Sequence, residues 1–248
     1  MLALFTSLCN HGLVRAGGAQ ARSGVETDDG NHQGFPGPPR VTVVVHHLEN
    51  SRSQRVLWLL EELELPYVVR RYPRDPKTML APAELRRVHP LGKSPVIEDG
   101  KLIVSESGAI VEYLIDKAGG RLGAPADQCN RLRYRQFLHY AEGSLMPPLL
   151  ALLVVRRLGL LGLPARRPVL KMVGRHLDYC DTELSGRPFF AGNELTGADI
   201  MMSFPLEAAC SRAGLGPSRH HLWAWLQRIH ARPAYQRALK AGGAYAYA

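Results

Sequence analysis

His89-Pro-Leu-Gly-Lys-Ser-Pro-Val-Ile-Glu-Asp-Gly-Lys-Leu-Ile-Val-Ser-Glu-Ser-Gly-Ala-Ile-Val-Glu-Tyr113 is the stretch on which the reading of this chain turns. Residues 94–98 and 101–104 are short β-prone runs, and Asp99-Gly100 between them is a pair favoured in two-residue turns, so the stretch predicts a tight hairpin. Ser105-Glu106-Ser107 then precedes Ala109, Ile110, Tyr113 and Leu114, which are apolar at helical spacing. A helix therefore starts here with unpartnered backbone N–H groups, an end that favours an anion. Ahead of the hairpin, Pro95 stands at the first strand position, where a cis Ser94-Pro95 bond would turn the backbone of Val96 outward as a free pairing edge. Such an edge, beside a hydroxyl and a helix N-terminus, suits the backbone and carboxylate of a peptide-like ligand.

Working outward, Val41-Thr-Val-Val-Val45 reads as a buried strand and 46–50 as a loop. Ser51-Arg-Ser53 opens a helix whose apolar face is Val56, Leu57, Leu59, Leu60 and Leu63, and 67–72 is a second strand, giving a βαβ unit. A short helix around 83–87, the hairpin and the next helix complete the element order of a thioredoxin-like α/β domain over 41–117. Gly- and Ala-rich 118–126 reads as a linker. Beyond it no strand pattern recurs, and helices over about 127–145, 149–158, 166–184, 198–213, 220–230 and 234–240 make 127–248 an all-α domain. Pro147-Pro148 is expected to break or kink the first of these. Thr196-Gly-Ala-Asp199 is a capping box flanked by Leu195 and Ile200, a structural motif. Residues 1–40 show no sustained period and read as a disordered extension; a targeting segment and an upstream start site remain open readings.

Composition narrows the function classes. With 248 residues and 46% hydrophobic content the chain can build real cores. The formal charge of +9 is spread over pairs such as Arg70-Arg71, Arg86-Arg87, Arg156-Arg157 and Arg166-Arg167 without interleaved aromatics, so no nucleic-acid partner is expected. Cys9, Cys129, Cys180 and Cys210 form neither a CxxC pair nor a metal-ligand spacing, which suits a reducing, cytoplasmic setting and implies no metal. The leucine-rich run 145–163 is interrupted by Pro147, Pro148, Arg156 and Arg157 and fails as a membrane span, so no membrane partner is expected.

The run His-Pro-x-Gly-Lys-x-Pro-x-Ile followed by Glu-Ser-x-Ala-Ile resembles the glutathione-binding signature of cytosolic glutathione S-transferases. Glu142-Gly-Ser-Leu-Met-Pro-Pro148 and Gly197-Ala-Asp-Ile-Met-Met-Ser-Phe-Pro205 look most like a yeast and bacterial, serine-type branch. The resemblance covers 41–238 and implies a homodimeric detoxification enzyme that uses glutathione as co-substrate and adds its thiolate to small apolar electrophiles. A glutathione-dependent isomerase or dehalogenase, or a non-catalytic module on the same fold, are its alternatives. The resemblance makes Ser51 the hydroxyl that stabilises the thiolate, with Ser53 as its rival, since no tyrosine lies between His46 and Pro66 and no cysteine between Asn10 and Gln128. It also implies that Val96 pairs with the cysteinyl backbone, Glu106 and Ser107 hold the γ-glutamyl end, and Lys93 meets the glycyl carboxylate. The electrophile site is expected against the helix carrying Tyr134, Phe137, Leu138, Tyr140 and Met146, with Tyr134, Phe137 and Tyr140 as its aromatic wall.

Overall fold

A computed structural model describes residues 42–247. The disorder expected of 1–40 lies outside the described residues.

Four strands, β1 (Val43–Leu48), β2 (Tyr67–Tyr72), β3 (Val96–Asp99) and β4 (Leu102–Ser105), form one sheet in the order β2-β1-β3-β4. β1 and β2 run parallel, joined across helix α1 (Ser53–Glu62), and the remaining pairs are antiparallel. The short α2 (Leu85–Val88) and α3 (Ser107–Lys117) complete this half. β1 runs three residues past the predicted strand end at Val45, because its parallel pairing continues through His46↔Arg70 and His47↔Arg71 to Leu48↔Tyr72. His46 is fixed within it by Tyr72 Oη, 2.8 Å from Nδ1, and Glu98, 3.0 Å from Nε2.

The hairpin turn is one residue later than expected. Asp99 pairs with Leu102, so Gly100 and Lys101 form the turn, with Gly100 at φ +63°. Asp99 is instead buried, and it accepts hydrogen bonds from Tyr113 Oη (2.6 Å) and Lys117 Nζ (2.5 Å) of α3. The turn residue that the sequence suggested thus clamps hairpin to helix; burial pushes its carboxyl up, but the Lys117 and Tyr113 hydrogen bonds outweigh that and hold it below its usual range.

Six helices follow: α4 (Gln128–Tyr140), α5 (Met146–Arg157), α6 (Leu163–Glu183), α7 (Gly197–Ala213), α8 (His220–His230) and α9 (Pro233–Gly242). Pro147-Pro148 does not break the chain. A π turn over Ala141–Leu145 leads α4 into α5, widening the helix where the prolines offer no N–H donor, so that one helical run spans Gln128–Arg157. By length and apolarity that run could cross a bilayer, but Phe137, Leu138, Leu145, Met146, Leu149 and Leu152 are buried in the protein's own core.

Asp199 carries more of the second half than a capping box requires. Its carboxylate accepts from Thr196 N and Oγ1 and also from Phe190 N and Trp225 Nε1, all at 3.0–3.1 Å, which joins the start of α7 to the preceding loop and to α8. Burial pushes its carboxyl up to about 6. Asp199→Ala would leave these buried donors without an acceptor, so it is expected to cost about 2 kcal/mol. Chemical denaturation checks this, with turnover per folded molecule unchanged.

Candidate functional site

The chemistry-bearing residues converge on a groove of about 190 Å³ lined by Arg52, His89, Leu91, Lys93, Ser94, Pro95, Val96, Ser105, Glu106, Ser107 and Glu142. Four separate segments meet here: the start of α1, the loop leading into β3, the end of β4 with the start of α3, and the π turn of the second half. Val96 lies at the first position of β3, opposite His46 of β1 and Ser105 of β4. The Ser94-Pro95 bond is cis. Ser94 Oγ donates to His46 O (2.7 Å) and accepts from Leu48 N (3.2 Å), which pins the loop to the end of β1.

Glu106 adopts φ 70° and ψ 125°, a conformation costly for a residue with a side chain. It stands immediately before α3, whose first N–H groups have no partner within the helix. Ser107, at the first helical position, is buried, whereas Glu106 and Lys93 are exposed. A carboxylate or other anion would meet donors at the start of α3, and an ammonium group would meet Glu106.

Ser51 and Ser53 sit where β1 hands over to α1. Ser51 is 5% exposed and Ser53 fully buried. Their hydroxyls are 2.7 Å apart, and Ser53 N donates to Ser51 Oγ at 3.2 Å. Ser53 Oγ also lies 2.9 Å from His47 Nδ1. Burial and the neighbouring charge of Arg71 push His47 down to about 4, so its ring is neutral at pH 7, and the Gly242 carbonyl accepts its N–H. With that N–H committed, Nδ1 accepts from the Ser53 hydroxyl, and Ser53 is held facing inward. Ser51 is the hydroxyl left on the outer side of the pair. His47 was not legible as part of this site, since the sequence alone placed it in a loop.

That histidine makes a testable contribution to acid stability. Unfolded, His47 titrates near 6.5, whereas folded it resists protonation down to about 4. The unfolded chain therefore takes up a proton that the folded chain refuses. Stability is expected to be full above about pH 6.5 and to fall as pH drops through this window. His47→Gln should flatten that limb in denaturation curves recorded at pH 7 and pH 5; equal losses in both proteins would assign it to another group.

Glu142, at the π turn, crosses between the two halves. Arg52 Nε donates to both of its oxygens, at 3.0 and 2.9 Å, and Arg55 Nη2 donates to Oε1. Arg55 is buried, and its Nη1 donates to Met201 O at 2.7 Å. Neither Arg52 nor Glu142 was expected to line the groove.

The aromatic wall was expected at the electrophile site rather than in this groove, and two of its three residues, Tyr134 and Phe137, are buried. Phe137 is fully buried and packs on Tyr140, Tyr179 and Phe190, with ring centroids 4.6–6.2 Å apart. Tyr134 is buried as well, beside Gly197 at the start of α7. Tyr140 is half-buried, and its hydroxyl meets His176 Nδ1 at 2.5 Å. Tyr134 and Phe137 thus belong to the hydrophobic core, because the face of α4 that carries them packs on α7. A second hollow of about 280 Å³ is lined by His230, Tyr235, Gln236, Leu239, Gly243 and Tyr245, and the two tyrosine hydroxyls are already committed to the buried Glu207 carboxylate.

A thioredoxin-like half joined to a helical half, with a polar groove at the start of α3 and a serine pair after β1, defines the class. Residues 51–117 match the glutathione S-transferase N-terminal domain and 165–233 the glutathione S-transferase C-terminal domain. The chain is 34% identical over 209 residues to glutathione S-transferase 3 of Schizosaccharomyces pombe, covering 77% of this chain and 84% of that protein. It is also 34% identical over 218 residues to glutathione S-transferase 1 of Saccharomyces cerevisiae, covering 78% and 92%. A solved glutathione S-transferase from Actinobacillus pleuropneumoniae superposes with a TM-score of 0.74 at 32% identity, covering 83% of this chain and 95% of that one. The chain belongs to the glutathione S-transferase family.

Proposed function

We propose that this chain is a glutathione transferase that binds glutathione in the groove and adds its thiolate to small apolar electrophiles. The observation that carries the reading is the convergence of Lys93, Val96, Glu106 and Ser107, drawn from the β3 loop and the α3 start, on one groove lined also by Arg52, next in sequence to Ser51. Val96 pairs with the cysteinyl backbone, Glu106 takes the γ-glutamyl ammonium, Ser107 and the α3 N-terminus take its carboxylate, and Lys93 meets the glycyl carboxylate. Ser51 donates to the sulfur. The free thiols Cys129, Cys180 and Cys210 support a cytoplasmic setting. Exposed Leu102 and Ile103 on β4 and Leu132 on α4 support a homodimer, as apolar surface that a second copy would cover.

Calorimetric titration with glutathione, followed by turnover with a panel of apolar electrophiles, tests the proposal; absent binding at millimolar glutathione would overturn it. Replacing Glu106 or Ser107 with alanine is expected to weaken glutathione binding about tenfold or more while leaving the limiting rate nearly unchanged, because both groups hold the end remote from sulfur. Unaltered affinity in both variants would refute the orientation.

A further inference from the structure

We propose that the tip between α5 and α6, residues 158–163, docks this protein peripherally on an anionic lipid bilayer. Within Leu158-Gly-Leu-Leu-Gly-Leu163, Gly159–Gly162 forms a short 3₁₀ turn between α5 and α6, with Leu163 opening α6. It presents leucines to solvent to an unusual degree, with Leu160 83% and Leu161 85% exposed. Leu158, Leu163 and, one turn back along α5, Val154 are more than half exposed as well. Leucines gathered in one turn call for an apolar neighbour, whereas scattered ones would not.

The turn is built rigidly. Gly159 takes φ +55°, and Gly162 is buried so close to the Val155 backbone that a Cβ would collide with its carbonyl. Arg156 donates to Arg212 O (3.0 Å) and Arg157 to Thr78 O (3.2 Å), tying the end of α5 to α7 and to the 75–80 loop. That second bond brings a loop with two more exposed apolar side chains, Met79 and Leu80, to the same end of the molecule.

Charge selects the partner. Between Glu142 and Asp178 the chain has no acidic residue, while it carries Arg156, Arg157, Arg166, Arg167, Lys171 and Arg175. Arg166, Arg167, Lys171 and Arg175 are exposed, and their side chains make no hydrogen bond or ion pair among the described residues. An apolar tip flanked by unneutralised cations matches a bilayer whose surface is anionic and whose interior is apolar. Nucleic acid fits less well, because no aromatic side chain is interleaved for base stacking. The expectation of no membrane partner weighed a spanning helix, and a surface contact needs none.

The test is co-sedimentation of the full-length protein with phosphatidylcholine vesicles, with and without phosphatidylserine. Binding is expected only with phosphatidylserine, and it should weaken as salt is raised. At about fivefold per basic residue, Arg166→Gln/Arg167→Gln should reduce partitioning on the order of 25-fold. Leu160→Ser/Leu161→Ser should reduce it about tenfold or more, while glutathione affinity stays at the wild-type value. Absence of binding to both vesicles, equal binding to both, or unchanged binding by the leucine variant would overturn the proposal. So would a smaller sedimentation mass of the leucine variant in lipid-free buffer, since a second copy of this chain would then be the occupant. The lipid and salt dependence of the unaltered protein decides the matter even if a variant folds poorly.

Discussion

Ser51→Ala is expected to lower turnover with glutathione by roughly 10²-fold while glutathione affinity changes little. The nucleophile is the thiolate, and an unperturbed thiol titrates at about 8.5, so at neutral pH the protein must stabilise the anion. With the Ser53 hydroxyl proton directed to His47 Nδ1, the 2.7 Å contact between the two hydroxyls takes the Ser51 O–H, so Ser51 donates to sulfur by turning that O–H from Ser53 Oγ to the thiolate while the Ser53 N–H still holds its oxygen. A lost anion donor is expected to be felt in the rate, because the contacts proposed for glutathione act chiefly on its two ends.

Ser53→Ala is expected to act differently. Its hydroxyl is fully buried between His47 and Ser51, so its loss should be read mainly in stability, with a smaller effect on turnover through the position of Ser51. The thiolate absorbance gives an independent readout, since the apparent pKa of bound glutathione should move back toward about 8.5 in Ser51→Ala. Identical titrations in wild type and variant would transfer the role to another donor, such as a backbone N–H at the start of α1.

Local chemistry was legible in the sequence and distant pairing was not. The helix beginning at Ser107 and the capping box at Thr196 and Asp199 are determined by residues within a few positions of one another, and the sequence placed both. The hairpin was found but its turn was displaced by one residue, because Asp99 is held by Tyr113 and Lys117 of α3, a tertiary contact that turn preferences do not contain. His46 and His47 look like loop residues until β2 pairs with them. Phe137 is apolar at helical spacing, which says that α4 has a buried face without saying whether core or ligand meets it. The groove's Arg52–Glu142 contact joins residues 90 positions apart and had no local signal.

That same contact carries the largest expected loss of stability. Glu142→Ala leaves the buried Arg55 guanidinium with the Met201 carbonyl as its remaining hydrogen-bond acceptor, while Phe204 offers only a ring face 6.0 Å away. Burial already pushes Arg55 below its usual range, and the charge and hydrogen bond of Glu142 oppose that shift. Removing one partner of such a pair costs about 3–5 kcal/mol, because the remaining charge stays desolvated without compensation. For a domain of this size that corresponds to a fall in melting temperature of about 10 °C. Glutathione binding should weaken too, since Arg52, freed from Glu142, no longer holds its side of the groove. The double variant Arg55→Met/Glu142→Ala discriminates the cause: with the buried charge gone, most of the lost stability should return. A single variant that melts within about 2 °C of the wild type would show that water reaches Arg55, and a double variant no more stable than Glu142→Ala would place the loss in packing between the two halves.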